Sequence, residues 1–162
     1  MFPLVNYKYE VPEGTHLGAF GSIRKHDIHT GVDLYCDHGD SVLAIEAGTV
    51  IAIEDFTGEK ANSPWWNDTQ AVLVKGKTGV FLYGEIHPVV KVGDSVLEGT
   101  LLGTVIPVLK KDKGKTPVTM LHMELYSHDC THSAIWNLDE SMPAGLIDIT
   151  DRLKIEFARI AQ

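Results

Sequence analysis

Apolar and polar positions alternate along the first three-quarters of the chain in short, β-branched runs, each closed by Gly, Asp or Asn. DSVLAIEAGTVIAIEDF (40–56), TQAVLVKG (69–76), VFLYGEIH (80–87) and VTMLHMELY (118–126) carry this strand pattern. In VKVGDSVLEGTLLGTVI (90–106), glycines 93, 99 and 103 punctuate apolar strands and are expected to serve turn geometry alone. The pattern predicts a mainly β fold, an antiparallel β-sandwich or barrel-sandwich-like core. The word GDSVL occurs at 39–43 and again at 93–97, which points to two related half-motifs. Near the C-terminus the period changes. Behind Thr150, a candidate cap, Leu153, Phe157 and Ile160 recur at helical spacing and predict a short helix packed on the sheet.

Two loops interrupt the strands. In TGEKANSPWWND (57–68), Trp65 and Trp66 are expected to anchor the loop on the core, ahead of forming a substrate-contacting lip. In PVLKKDKGKTP (107–117), Lys110, Lys111, Lys113 and Lys115 suit a solvated hairpin tip. With 162 residues, 44% of them hydrophobic, the chain suits one domain with a sizeable core.

Composition narrows the function. Fourteen basic against 22 acidic residues give a formal charge of −8, which repels phosphate backbones and argues against nucleic acid as a partner. No apolar run reaches the roughly 18–20 residues of a membrane span. MFPLVNYKYEVPEG has neither a basic leader nor a long apolar stretch, so the expectation is cytoplasmic synthesis without an export signal. Cys36 and Cys130 are too few for a disulfide framework and are expected to be reduced.

The chemistry gathers at two stretches. In IHTGVDL (28–34), His29 and Asp33 would lie roughly 13 Å apart on a straight strand. Gly31 between them can take backbone angles other residues avoid, letting the chain curl until both side chains converge. Along VTMLHMELY, alternation puts Val118, Met120, His122 and Glu124 on one face, making His122 a candidate third ligand. Two imidazoles and a carboxylate around an open position suit catalytic zinc. Elsewhere, Glu85 stands in a stretch that otherwise reads as a buried strand, where an ionised carboxylate needs a partner. On that strand Tyr83, Glu85 and His87 are expected to share a face, with His87 marking the exit before Pro88. His128, Cys130 and His132 are able to bind a second metal but are expected to face water, and His16, His26 and His38 have no spacing that singles them out.

The run FGSIRKHDIHTGVDL (20–34), with its Phe-Gly, following Arg and His-x-x-x-Asp, resembles the opening signature of the lysostaphin-type, LytM-like zinc peptidases. GDSVLAIEAGTVIAI resembles that family's next strands, LYGEI its Tyr-x-His strand, VKVGDSVLEGTLLGTV its glycine-punctuated hairpin and MLHMEL its His-x-His strand. Together these cover about residues 18–126, leaving 127–162 as a C-terminal loop and helix. The resemblance implies the duplicated hybrid motif fold and Zn2+ held by His29, Asp33 and His122. Two further family histidines, which activate water and stabilise the transition state, fall on Glu85 and Met120.

The resemblance thus implies a zinc metallopeptidase cutting peptide cross-links of bacterial peptidoglycan. At the changed position Glu85 is expected to point toward the metal, where a carboxylate can act as general base; the alternatives are a strand-end carboxylate facing solvent or a fourth ligand that shuts the open site. Lacking an export signal, such an enzyme would be carried in a phage particle or released by lysis. The alternative is a non-catalytic zinc-binding member of the same fold acting as a binding or structural module, because Met120 cannot donate a strong hydrogen bond and VIPVLKKDKGKTP replaces a shorter family loop. A carrier-domain hairpin over 90–106 is discounted, since no Lys occupies the turn tip.

Overall fold

The computed structural model describes residues 1–110 and 119–160. Lys111, Lys113, Lys115 and the expected strand start at Val118 lie outside the described residues. Among the described residues nine strands form one antiparallel sheet: β1 (Val32–Tyr35), β2 (Ser41–Leu43), β3 (Gly48–Thr57), β4 (Thr69–Gly76), β5 (Val80–Pro88), β6 (Ser95–Val96), β7 (Leu101–Val105), β8 (Met120–Tyr126) and β9 (Leu146–Ile147). The main path runs β1-β8-β5-β4-β3-β6, with β7 between β2 and β5 and β9 beside β8. The helix α1 (Thr150–Ile160) follows. No helix among the described residues is long and apolar enough to cross a membrane.

Strand alternation divides the apolar residues between two faces. Val72 and Val74 of β4, Phe81 and Tyr83 of β5, and Leu121, Met123 and Leu125 of β8 enter the larger core. Ala71, Leu73, Val80, Leu82 and Tyr126 form a second cluster on the other face.

The repeated GDSVL words occupy equivalent places. Ser41 and Val42 of the first stand opposite Thr104 and Gly103 in the second half, while Ser95 and Val96 of the second stand opposite Thr49 and Gly48 in the first. Each word therefore pairs with the Gly-Thr-Val of the other half. The turns before them match as well: Asp40 accepts the Asp37 N–H at 2.9 Å, and Asp94 accepts that of Lys91 at 2.8 Å. Glycines 93 and 99 have positive φ, as turns require. Gly103 differs, lying within β7 where a Cβ would come 2.4 Å from the His87 carbonyl oxygen, so close packing and not turn geometry demands glycine there.

Two local expectations are corrected in α1. The Asp148 carboxylate accepts the Thr150 N–H at 2.9 Å, while the Thr150 hydroxyl donates to the same oxygen, so Asp148 serves the helix start in place of Thr150. Leu153 is buried and Phe157 packs 5.5 Å from the Phe2 ring, but Ile160 is exposed at the last turn.

β5 is the branch point of the sheet. Val80–Gly84 pairs with β8, Ile86–Pro88 with β7, and Glu85 lies at the change of partner. There Gly84 and Glu85 together stand opposite Ala71 of β4, a bulge in which Glu85 takes a left-handed φ of 66°.

Candidate metal centre

Register and a tight loop bring together side chains from opposite ends of the sequence. Asp33 of β1 stands directly across from His122 of β8. His29, in the segment entering β1, is held by backbone bonds to Ser22 and Gly21, both 2.9 Å. Gly31 makes this possible through its missing side chain, without a positive φ. A Cβ on Gly31 would lie 2.2 Å from the Met123 carbonyl oxygen and 3.0 Å from His122 Nε2, so the missing side chain lets the loop press onto β8.

His29 Nε2 lies 3.1 Å from Asp33 Oδ1 and 3.2 Å from His122 Nδ1, and His122 Nδ1 lies 2.8 Å from Asp33 Oδ1. All three residues are buried. The outward atom of each is already committed. His29 Nδ1 donates to the Ala19 carbonyl at 2.9 Å, His122 Nε2 donates to Glu124 at 2.7 Å, and Asp33 Oδ2 accepts from Arg24 at 3.1 Å. With both rings neutral, two nitrogen lone pairs and a carboxylate oxygen face one another with no proton between them. Such a cluster calls for a cation, and its donor set fits one divalent ion. In the metal-free protein a proton can take that place. Burial lowers the His122 pKa, but hydrogen bonds to Asp33 and Glu124 outweigh it and push it up to about 10. Burial would likewise raise Asp33, yet the two imidazoles hold it well below the carboxylate range.

Behind His122 stands a residue that strand alternation placed on the same face without a role. Glu124 is buried, and besides His122 it accepts from Thr30 at 2.6 Å and from the Tyr126 hydroxyl. Burial raises its pKa, but His122 chiefly, with Thr30 and Tyr126, brings it below the ordinary value. The signal in the sequence was its i+2 relation to His122.

The three side chains open on a cleft of about 680 Å³ that is also lined by Glu85, Met120, Tyr35 and Phe56. The expectation that Tyr83, Glu85 and His87 share a face fails. Tyr83 is fully buried in the larger core, its hydroxyl accepting the Ile45 N–H at 2.9 Å, and His87 is exposed outside the cleft. Glu85 does face the converging side chains, because the bulge shifts alternation by one: Tyr83 and Ile86 both enter the core while Glu85 lines the cleft. Gly84 leaves room for Phe56, whose ring a Cβ would meet at 2.9 Å and whose centroid lies 5.4 Å from that of His122. Glu85 Oε2 is sealed from solvent and has no hydrogen-bond partner among the described residues. Burial, then repulsion from Asp33, pushes the Glu85 pKa up to about 8 against the opposing pull of His122 and Arg24.

Elsewhere the loops depart from their expected roles. Trp65 and Trp66 do not anchor their loop; both are exposed, stacked edge to face, and Trp66 lines the cleft, because Ser63 and Asn67 fix the loop by hydrogen bonds instead. Lys110 reaches back to the Pro64 carbonyl at 2.7 Å. His128 bonds the Lys77 carbonyl at 2.7 Å and His132 its neighbour Thr131, and among the described residues they form no metal-holding group with Cys130. Cys36 and Cys130 are free thiols.

Comparison with known proteins bears on this geometry. No curated protein matches the chain. Among solved structures it resembles CbpA from L. salivarius REN, with 16% identity, 92% of this chain and 91% of that one covered, and a TM-score of 0.59. It also resembles the catalytic domain of the antimicrobial peptidase lysostaphin from Staphylococcus simulans, with 18% identity, coverages of 85% and 89%, and a TM-score of 0.54. At these identities both likenesses concern the fold. The profile of Peptidase family M23 matches residues 27–134. That stretch runs through all three converging side chains and the bulged strand that carries Glu85, and the chain belongs to Peptidase family M23.

Proposed function

We propose that the chain is a zinc-dependent peptidase that hydrolyses an amide in the peptide part of bacterial peptidoglycan, with His29, Asp33 and His122 as the metal ligands and Glu85 as the general base. The observation that carries the reading is the meeting of three acceptor atoms, each with its far side committed to another group. Zinc suits this set and, when bound, supplies Lewis acidity toward a carbonyl and lowers the pKa of water.

The chain's own residues supply the rest. Arg24 and the Ala19 carbonyl fix Asp33 and His29, and Glu124 fixes His122, so the ligand atoms are held before substrate arrives. Glu85, facing the cleft from its bulge, takes a proton from the attacking water and returns it to the departing nitrogen. Its unpartnered oxygen and upward-shifted pKa suit a group that must hold a proton near neutrality. The murein substrate class comes from the family, and the lysostaphin likeness supports the fold that would present this site.

Met120 favours a second reading, in which the protein binds metal and substrate without turnover, since a thioether in the cleft neither carries a proton nor donates a strong hydrogen bond. Digestion of purified peptidoglycan decides between them, with new amino termini counted for the zinc-loaded protein, the chelated protein and Glu85→Gln. Release that needs both zinc and Glu85 supports hydrolysis. Full zinc occupancy with no release, identical in Glu85→Gln, establishes the binding module.

A further inference from the structure

Besides a Lewis acid, hydrolysis gains from a donor facing the carbonyl oxygen as negative charge builds on it, and removal of one such donor typically costs about 10²–10³ in kcat. The cleft has few to offer. Met120, two residues before His122 on β8, has none. The Thr30 hydroxyl is given to Glu124, the Ser133 hydroxyl to Glu54 and the Trp136 indole N–H to the Glu140 carbonyl. Arg24 spends Nη2 on Asp33 and the Leu17 carbonyl. Trp66 also lines the cleft, but it belongs to the loop after β3 and is not on a strand that bears a ligand.

Tyr35 is left. It stands directly opposite Met120 in the β1–β8 register, one pair beyond Leu34–Leu121 and two beyond Asp33–His122. Being two residues from Asp33, its side chain projects from the same face of β1, and it lines the cleft with Asp33, Glu85 and His122. It is half-buried, and its hydroxyl has no hydrogen-bond partner among the described residues, whereas the hydroxyls of Tyr7, Tyr83 and Tyr126 are all engaged.

We infer that Tyr35 is a further catalytic residue, donating a hydrogen bond from its phenol to the carbonyl oxygen of the scissile amide. The donor that position 120 lacks is supplied across the strand pair from position 35. This rests on the hydrolysis proposed above. The oxygen of water bonds to the carbonyl carbon as Glu85 takes one proton, and the carbonyl π pair moves onto the oxygen, where the Tyr35 hydroxyl donates without losing its proton. The pair returns as the carbon–nitrogen bond breaks, and the proton on Glu85 passes to the nitrogen.

Tyr35→Phe removes the hydroxyl and keeps the ring. Two readouts test it: turnover of soluble peptidoglycan fragments, and calorimetric binding of inorganic phosphate, a tetrahedral oxyanion, to the zinc-loaded protein. Expected are a kcat lower by about 10²-fold with KM within about twofold, phosphate binding weaker by about tenfold, and unchanged zinc affinity. Unchanged turnover and phosphate binding overturn the inference, as does a loss of zinc affinity that accounts for the whole effect. If the native protein turns nothing over while Tyr35→Phe still weakens phosphate binding, the donor stands and the hydrolysis reading is what fails.

Discussion

Glu124 accepts the Nε2 proton of His122 at 2.7 Å, and this contact decides which nitrogen His122 turns toward Asp33. Because Glu124 is itself fixed by Thr30 and Tyr126, the ring has one tautomer and one orientation when neutral. Replacing Glu124 by Gln keeps the shape, removes the charge and weakens the hold on the Nε2 proton. Zinc affinity in a chelator-competition titration is expected to fall by about 10–100-fold with the fold intact; unchanged affinity would leave Glu124 without the role assigned to it.

Gly31 is the point at which the loop carrying His29 touches the strand carrying His122. An alanine Cβ would need to occupy space 2.2 Å from a backbone oxygen, and neither side of that contact is a flexible side chain end. Gly31→Ala is expected to lose about 2 kcal/mol or more in urea unfolding and to weaken zinc binding in parallel. Native-like stability with native-like zinc affinity would show that the loop does not depend on this approach.

These two residues also mark how far the sequence could be read. Alternating β-branched runs and the doubled GDSVL word disclosed the sheet and its duplication, since strand period and turn chemistry are local properties. His29, Asp33 and His122 were legible as a set because a glycine between His29 and Asp33 lets the chain curl, strand alternation offered His122 as a third ligand, and the resemblance implied the same three residues. The bulge was not legible. Strict alternation placed Glu85 with Tyr83, and it took a change of strand partner at Gly84–Ile86, a tertiary event, to turn Glu85 into the cleft. Nor could alternation tell that Tyr35 would stand opposite Met120, because register between strands 85 residues apart is set by the whole sheet.

The left-handed backbone of Glu85 has an energetic consequence. A non-glycine residue there costs about 1–2 kcal/mol, and a sealed, unpartnered carboxyl oxygen adds to it. Glu85→Gly removes both at the expense of about 0.5–1 kcal/mol of added chain entropy. Metal-free Glu85→Gly is expected to be more stable than native by about 1 kcal/mol in urea, while hydrolysis is lost. A destabilised variant would contradict the assignment of strain to this residue.

Acid sensitivity should appear far from the cleft. Glu46 accepts from Thr78 N and Oγ1 at 2.9 and 2.5 Å and from Arg152 at 3.0 Å, tying α1 to the turn between β4 and β5. Burial raises its pKa, but Thr78 and Arg152 more than offset this, so its folded value lies below 4.5. A depressed carboxylate contributes stability that is full above the unfolded value and is lost as pH falls through the folded one. Glu46→Gln is therefore expected to be less stable than native by about 1 kcal/mol at pH 7, a figure held down by solvent screening. The gap should close as the pH falls below about 4.5, as followed by urea unfolding; a gap that does not narrow would deny the ionised Glu46 a part in stability.

Everything at the centre depends on His29, Asp33 and His122 holding one divalent ion, and calorimetric titration of the metal-free protein with zinc addresses it most directly. One zinc per chain is expected, with affinity lost in His29→Ala and in His122→Ala and retained in Glu85→Gln. Zinc taken up equally well by the two alanine variants, or not taken up by the native chain at all, would contradict it.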